Sequence, residues 1–234
     1  MRFLFVGDSM TIGRAGDYTW RYRMWQHLTA YPETGTGGHV VVGPRDGLYD
    51  PVADAPVSTA YADPAFPPAA RRHLAGWGEG WIHLAPVVGE TVAVHRPDVL
   101  LVSLGLIDLG FYTDPDQTIA NVHRFVAGAR AASPRIRLVL LPVVPNVRAR
   151  TDAPFAAACE RFNELLAKTV ADLDSPASPV LLASPPPGYD LDTDTYDGTH
   201  PGPTGEHRIA AAFATALHQA WGVGGPYRGH HRGH

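Results

Sequence analysis

The sequence predicts an α/β protein, a three-layer α/β/α sandwich built on a flavodoxin-like, five-stranded parallel sheet. Short apolar segments alternate with helical patterns five times along the chain, which is the order that a parallel sheet covered by helices requires. The clearest segment, residues 98–105, is apolar on both faces, as expected for a strand buried between two helical layers. With 234 residues, 45% of them hydrophobic, the chain is long enough for one sizeable core.

Local patterns locate the individual elements. Apolar or β-branched segments predict strands at residues 3–6, 39–42, 98–105, 136–144 and 180–183. Helical spacing predicts helices at residues 18–30 (with Asp17 as a cap), 82–94, 116–132, 153–173 and 204–221. The segments 108–115 and 184–201 are predicted loops. We expect a single domain over residues 1–221, followed by a flexible tail at residues 222–234 that is rich in Gly, Arg and His.

One long segment, residues 43–76, is rich in Pro, Asp, Ala and Gly and lacks clear periodicity. Segments of this length inside a compact domain are typical of binding loops or lids, so we expect this one to contribute to substrate specificity. In the preceding helix, Arg21 and Arg23 lie among aromatic residues. The simpler interpretation is aromatic packing with solvated guanidinium groups; the alternative is a pocket for a polar acyl or carboxylate group.

Charge and composition argue against several classes of partner. A net charge of −4 and a pI of about 6.3 leave no basic surface for nucleic acid or an anionic membrane. No apolar run could span a bilayer and no secretory leader is visible, so we expect a cytoplasmic protein. Cys159 is the only cysteine and lies in a helical pattern, so we predict a core position and no intrachain disulfide. The histidines of the tail fit no defined metal site: His230, His231 and His234.

The first predicted strand ends in a tight Gly-Asp-Ser turn that presents Ser9 at the carboxyl edge of the sheet. Ligands bind at this edge in open α/β sheets. A serine hydroxyl becomes a good nucleophile only when a base takes its proton, and the far end of the chain offers Asp197 and His200. Their spacing lets one turn present both side chains, although an Asp before Gly is also a common turn former.

Four motifs occur in a fixed order: Gly7-Asp8-Ser9-Met10, a Gly-containing turn, Gly105-x-x-Asp108 and Asp197-x-x-His200. In this order, over nearly the whole domain, the chain resembles the SGNH, or GDSL-type, hydrolases. The resemblance implies a carboxylic-ester hydrolase or acyltransferase that works through an acyl-enzyme, without a cofactor, on a small-molecule ester or acyl substrate. Ser9 would be the nucleophile, His200 the general base, and Asp197 the group that fixes the imidazole tautomer.

The resemblance also implies an oxyanion hole of three donors: the serine N–H, a glycine N–H and an asparagine amide. The backbone N–H of Ser9 supplies the first donor, independently of the role of its side chain. Gly80 best fits the glycine position and Gly78 is second, although either can serve simply as a helix-entry residue. The asparagine is replaced by Ile107, immediately before Asp108, so this donor is missing.

Loss of one such donor typically costs about 10²–10³ in rate. Either Asn146, on the loop after the next strand, replaces it, or the site works with two donors. An isoleucine beside Ser9 would also make the pocket drier, which favours acyl transfer or ring closure over hydrolysis. We expect the substrate to contact Asp8, Ile107, Asp108 and Asn146.

Two other functions fit parts of the sequence. A non-hydrolytic protein that binds a small molecule on the same fold would explain Ile107, but it would not need an intact Ser9, Asp197 and His200. A phosphatase or metal hydrolase would use the acidic run at residues 190–200. The aspartates of that run are more simply turn formers, and no second cluster of metal ligands follows, so we predict no metal site.

Overall fold

The structure is a computed structural model that describes residues 1–31 and 38–229. Its strands are β1 (Arg2–Gly7), β2 (Val40–Val41), β3 (Leu48–Asp50), β4 (Ala55–Ser58), β5 (Leu74–Ala75), β6 (Val99–Ser103), β7 (Arg137–Leu141) and β8 (Val180–Leu182). Its helices are α1 (Ser9–Ile12), α2 (Trp20–Ala30), α3 (Trp81–Leu84), α4 (Val88–His95), α5 (Pro115–Ala132), α6 (Ala153–Leu173), α7 (Leu191–Asp194) and α8 (Pro203–Trp221). Short 3₁₀ turns lie at Pro68–Ala70 and Val147–Arg150, and a π-helical turn lies at Asp108–Tyr112.

The central sheet has the order β2-β1-β6-β7-β8, and every pairing in it is parallel. This is the flavodoxin-like order, which confirms the predicted α/β sandwich. The short strand β5 adds to the five predicted strands. It continues the edge that β2 begins: β2 pairs with the start of β1, and β5 pairs with its end.

Helices cover both faces of the sheet. On one face α2 packs against α8, where the ring of Trp20 stacks on Phe213 with centroids 4.8 Å apart. On the other face α5 packs against α4 and α6, as right-handed crossovers between parallel strands require. Strands β1, β6 and β7 are buried beyond their first residues, and Cys159 of α6 is buried in the core as predicted. The carboxyl edge of the sheet remains available for a ligand.

Two helices differ from their predicted bounds for local reasons. Helix α2 begins later than predicted because Thr19 caps it, accepting the N–H of Tyr22 at 3.3 Å. The predicted cap, Asp17, instead accepts the N–H of Arg14 at 2.7 Å. The predicted helix 82–94 is divided into α3 and α4 by a turn that contains Pro86, because proline disrupts the hydrogen bonds of a helix interior.

The segments predicted as loops contain short regular elements. Residues 43–76 include the antiparallel hairpin β3–β4 and strand β5, elements too short for their periodicity to be recognised in sequence. The predicted loop 108–115 includes the π-helical turn, and the predicted loop 184–201 includes α7. None of the helices in the described part of the chain combines the length and the apolar composition needed to cross a bilayer.

The arginines of α2 are not solvated, and they do not line a pocket. Arg21 is fully buried, and its guanidinium donates to the carbonyls of Thr11 at 2.8 Å and Ile12 at 2.9 Å. Arg23 forms an ion pair with the buried carboxylate of Glu206 at 3.0 Å. The expected aromatic packing is present, since Tyr22 packs against Trp25 and Phe66. The expected solvation of the guanidinium groups was wrong, because their partners come from other segments of the chain.

The first part of the predicted flexible tail lies against the domain. Val223 is buried, and the hydroxyl of Tyr227 forms a hydrogen bond with Nδ1 of His207, on α8, at 2.7 Å. Residues 222–229 are therefore attached to the helical layer rather than free of it. The three tail histidines lie outside the described residues: His230, His231 and His234.

Candidate active site

Ser9 is the first residue of α1 and directly follows the turn at the end of β1. Asp8 caps this helix by accepting the N–H of Met10 at 3.0 Å. A Cβ at Gly7 would lie 2.0 Å from the side chain of Thr11, so a side chain at this position would disrupt the turn. The turn leaves Ser9 at the carboxyl edge of the sheet. Its N–H occupies the first helical position, which has no acceptor within the helix.

The structure brings three of the predicted residues together, although they are far apart in the sequence. Nε2 of His200 lies 3.0 Å from Oγ of Ser9, across 191 positions of the chain. Nδ1 of the same ring lies 2.7 Å from Oδ2 of Asp197. The hydroxyl, the imidazole and the carboxylate therefore form a continuous hydrogen-bonded chain in the order expected of a Ser-His-Asp triad.

The backbone of one loop holds Asp197 and His200 in this arrangement. The second carboxylate oxygen of Asp197 accepts the N–H groups of Thr199 at 3.0 Å and His200 at 2.8 Å. Partial burial acts to raise the pKa of Asp197, but its hydrogen bonds to the backbone and ring of His200 outweigh this and hold that pKa below its usual value. The carboxylate therefore stays ionised and able to accept a hydrogen bond from Nδ1–H.

Asp8 and Asp108 lie behind the wall of the cleft rather than in it. Both are buried, and Asp108 accepts the N–H groups of Trp81 at 2.8 Å and Ile82 at 3.0 Å, so that it caps α3. Burial raises the pKa of Asp8 to about 7, and the nearby carboxylate of Asp108 adds to the rise. Burial also raises the pKa of Asp108. The expected substrate contacts of these two aspartates are thus replaced by structural ones.

The two candidate glycines differ in what surrounds them. The N–H of Gly80 donates to Nδ1 of His83 at 3.0 Å, and a Cβ at Gly80 would lie 2.3 Å from the carboxylate of Asp108. Gly80 is therefore packed against the cap of α3, and its N–H has a partner in this structure. Gly78 lines the cleft beside Ser9, and a Cβ added there would meet nothing within 4 Å. Gly78, the second candidate from the sequence, is therefore the glycine that faces the cleft.

A cleft of about 400 Å³ opens beside the triad. Ile107 and Asn146 both line it, on loops that follow neighbouring strands. The side-chain oxygen of Asn146 accepts the N–H of Arg148 at 3.1 Å, which leaves its amide NH₂ as the group available to a ligand. The other lining residues are mostly apolar: Trp77, Leu106, Gly110, Phe111, Tyr112, Phe155 and Thr199, together with Arg148.

Several of these lining residues were not identified from the sequence. Trp77 is the most notable, since its ring stacks on that of His200 with centroids 4.6 Å apart. The Gly-Trp-Gly motif was visible in the sequence, but nothing local indicated which group its ring would contact. Tyr196, which does not line the cleft but whose ring also stacks on that of His200, carried no signal either.

The acidic run before His200 is engaged in structural contacts. Asp190 caps α7, Asp192 pairs with Arg150 at 2.8 Å, and the buried Asp194 pairs with Arg208 at 2.6 Å. Within residues 1–31 and 38–229, no group of three or more His, Cys, Asp or Glu side chains is arranged to hold a metal ion.

Comparison with known proteins identifies the family. A sequence profile of the GDSL-like lipase/acylhydrolase family matches residues 5–208. Among solved structures, an acetyl esterase mutant with an acetate ion is 23% identical with a TM-score of 0.73, covering 94% of this chain and 97% of that chain. A carbohydrate esterase family 3 from Talaromyces cellulolyticus gives the same four values, 23%, 0.73, 94% and 97%. A family 3 carbohydrate esterase from Clostridium thermocellum is 18% identical with a TM-score of 0.70, covering 94% and 96%.

These solved structures share the fold of this chain. None of the curated proteins compared with the sequence matches it. The profile match extends from β1 to α8, and thus includes every element that carries Ser9, Asp197 and His200. The chain therefore belongs to the GDSL-like lipase/acylhydrolase family.

Proposed function

We propose that this protein is a serine-dependent carboxylic-ester hydrolase that works through an acyl-enzyme, with Ser9, His200 and Asp197 as its catalytic triad. The observation that carries the proposal is the continuous hydrogen-bonded chain from Oγ of Ser9 to Nε2 of His200 at 3.0 Å and from Nδ1 to Asp197 at 2.7 Å. Both distances lie within the reach of proton transfer between heavy atoms.

In the first half of the reaction Oγ of Ser9 attacks the ester carbonyl while Nε2 of His200 takes its proton. The carbonyl oxygen becomes an oxyanion, and Asp197 stabilises the imidazolium through Nδ1–H. The tetrahedral intermediate then collapses: the bond to the alcohol breaks, and His200 returns the proton to the departing alkoxide. In the second half, water repeats these steps on the acyl-serine and releases the carboxylic acid.

Three donors near Ser9 are candidates for the oxyanion hole. They are the N–H of Ser9, the N–H of Gly78, which faces the cleft, and the side-chain amide of Asn146, in place of the asparagine that Ile107 replaces. The N–H of Gly80 could become a fourth donor only if its hydrogen bond to His83 breaks.

The cleft favours an uncharged acyl ester. Its one charged lining residue apart from the triad, Arg148, donates to Asp152 at 2.8 Å and to the carbonyl of Gly110 at 3.0 Å. That guanidinium is therefore already compensated, and the neighbouring side chains, Ile107 among them, are apolar. Because one structural neighbour is an acetyl esterase, small acetyl esters are the first substrates to test.

The alternative of a non-hydrolytic binding protein is not favoured, because such a protein has no need of an assembled triad. A second candidate activity is acyl transfer to an alcohol or amine, and one feature of the cleft favours it. Ile107 lines the cleft that also contains Ser9 and presents an apolar surface there. A drier site disfavours water as the acyl acceptor.

Covalent labelling with a fluorophosphonate tests the proposal. The protein should be labelled on Ser9, and the labelling should be lost in Ser9→Ala and His200→Ala. Matched controls are Ser133→Ala, at the end of α5, and His218→Ala, exposed on the last turn of α8. Both controls should label at the wild-type rate. Labelling that survives Ser9→Ala, or that fails in the wild type, would overturn the proposed function.

Ile107→Asn tests the role of the missing amide. If position 107 faces the oxyanion, the substitution should raise acetyl-ester hydrolysis by up to about 10²-fold. It should also shift the ratio of hydrolysis to transfer, measured with a competing alcohol, toward hydrolysis. Unchanged rates and an unchanged ratio would mean that position 107 limits neither step.

A further inference from the structure

The imidazole of His200 stacks against two aromatic rings. The ring of Trp77 has its centroid 4.6 Å from that of His200, with the ring planes 18° from parallel. The ring of Tyr196 has its centroid 5.7 Å from that of His200, also at 18°. Both rings are therefore close to parallel with the imidazole.

The stacking continues beyond these three rings. Tyr49, from the hairpin strand β3, stacks on Trp77 at 4.1 Å and 16°. The guanidinium of Arg14 lies over the ring of Tyr196, 5.8 Å from its centroid. Arg14 and Tyr49 are themselves neighbours in a parallel β-bridge, and the N–H of Tyr49 donates to the carbonyl of Gly13 at 3.0 Å. A backbone bridge between two segments thus links the groups that contact Trp77 and Tyr196.

Two hydrogen bonds hold the imidazole at its two nitrogens, one toward Ser9 and one toward Asp197. Parallel rings stacked on the imidazole add contacts that oppose tilting of its plane. The faces of aromatic rings also carry negative electrostatic potential, which stabilises the positive charge that His200 acquires when it takes the proton of Ser9.

From this geometry we infer that Trp77 and Tyr196 are positioning residues that hold the His200 imidazole in the plane of proton transfer, with Tyr49 as the brace of Trp77. The inference rests on the proposed function. Among the described residues, none of those that line the cleft falls within residues 43–76, which were expected to contribute to specificity. The inference instead gives the hairpin of this segment a role in catalysis, since that hairpin supplies Tyr49.

The location of these rings favours this role over one in core packing. Tyr196 is 44% exposed, and Trp77 and Tyr49 are half-buried at the edge of the cleft. Side chains at such positions contribute less to folding than the fully buried Trp20 and Trp81. Their removal should therefore affect the rate more than the stability.

Three tryptophan variants and Tyr196→Leu test the inference. Trp77→Leu removes the ring, Trp77→Phe keeps an aromatic face, and Trp221→Leu removes a tryptophan that stacks on Arg137 at the opposite edge of the sheet. Trp77→Leu should lower kcat for an acetyl ester about ten-fold, through misorientation of the base. The fluorophosphonate labelling rate should fall by the same factor. Trp77→Phe should recover most of both, and Trp221→Leu should stay within about two-fold of wild type. The split between kcat and KM is read from Tyr196→Leu, because Tyr196 does not line the cleft: its kcat should fall with KM nearly unchanged.

A spectroscopic signature separates positioning from a general structural effect. In the NMR spectrum of the protein, the ring protons of His200 should show the ring-current shifts expected of nuclei stacked on aromatic rings. Trp77→Leu should remove most of that shift, because Trp77 is the nearer ring, while the unfolding transition remains cooperative. Tyr196→Leu provides the same measurement for the second ring if Trp77→Leu fails to fold.

The outcomes distinguish this inference from the proposed function. If the wild type is not labelled on Ser9, the proposed function fails. If it is labelled, and Trp77→Leu and Tyr196→Leu label and turn over at the rate of Trp221→Leu, the positioning role is refuted while the hydrolase remains. Absence of a ring-current shift at His200 would also refute it, as would a Trp77→Phe variant as slow as Trp77→Leu.

Discussion

The substitution Asp197→Asn isolates the contribution of the carboxylate, because it changes one oxygen to NH₂ and leaves the shape unchanged. In the wild type, Oδ1 accepts the N–H groups of Thr199 at 3.0 Å and His200 at 2.8 Å. Oδ2 accepts the proton on Nδ1 of His200 at 2.7 Å. The two backbone donors will retain the amide oxygen of the asparagine, so its NH₂ group must point at Nδ1.

This orientation gives the imidazole the wrong tautomer. An NH₂ group can only donate to Nδ1, which places the ring proton on Nε2, where the proton of Ser9 has to be received. In a serine protease with a buried aspartate the equivalent change lowers kcat about 10⁴-fold. Here the Asp197 side chain is 43% exposed, so water can compete for Nδ1. We therefore expect a smaller loss, of about 10²–10³-fold.

The assay is the steady-state hydrolysis of a small chromogenic acetyl ester. The loss should appear in kcat, with KM nearly unchanged, because Asp197 does not line the cleft. Asp192→Asn is the matched control: it lies in the same segment, pairs with Arg150 and is 70% exposed. The control should keep the wild-type rate to within about two-fold. An Asp197→Asn variant with the activity of the control would refute the tautomer argument and the proposed triad.

Two further predictions concern stability. Burial raises the pKa of Asp8 from 3.8 to about 7. The protonated carboxyl group therefore stabilises the folded state fully below the pKa of 3.8 in the unfolded chain, and this stabilisation is lost as the pH rises through 7. Between acidic and neutral pH, the free energy of unfolding of the wild type in urea should therefore fall by about 2–4 kcal/mol more than that of Asp8→Asn; parallel pH profiles would contradict this. Arg23→Met leaves the carboxylate of Glu206, which is 2% exposed, without its cation. It should destabilise the protein by about 3 kcal/mol in urea unfolding at mildly alkaline pH, and a loss below about 1 kcal/mol would show that the pair is dispensable.

The residues of the proposed triad could be predicted from the sequence, because they belong to short motifs of characteristic residue types. Ser9 follows a Gly-Asp pair at a strand end, and Asp197 precedes His200 by one turn, so each half could be identified locally. The alternation of apolar segments with helical patterns likewise predicted a parallel sheet, which in turn placed both halves at one edge. Ile107 was also visible as a departure from the family pattern.

The sequence could not assign roles that depend on contacts formed only in the folded chain. Asp8 and Asp108 were expected to bind substrate, but each is buried as a helix cap by chain that folds over it. Arg21 was expected in solvent or in a pocket, but it binds backbone carbonyls of another segment. Gly80 ranked above Gly78 by position, yet His83 accepts its N–H. In each case the group that the residue contacts in the folded protein determines its role, and residue type alone does not.

The sequence by itself determined which groups are available: a hydroxyl after the first strand, a carboxylate and an imidazole near the end, and the helices and strands that carry them. Only the tertiary structure decided that Oγ of Ser9 and Nε2 of His200 stand 3.0 Å apart, and that the rings of Trp77 and Tyr196 stack on the imidazole. The physical reason is that local patterns depend on neighbouring residues, whereas the orientation of a side chain depends on surfaces that meet only when the chain is folded.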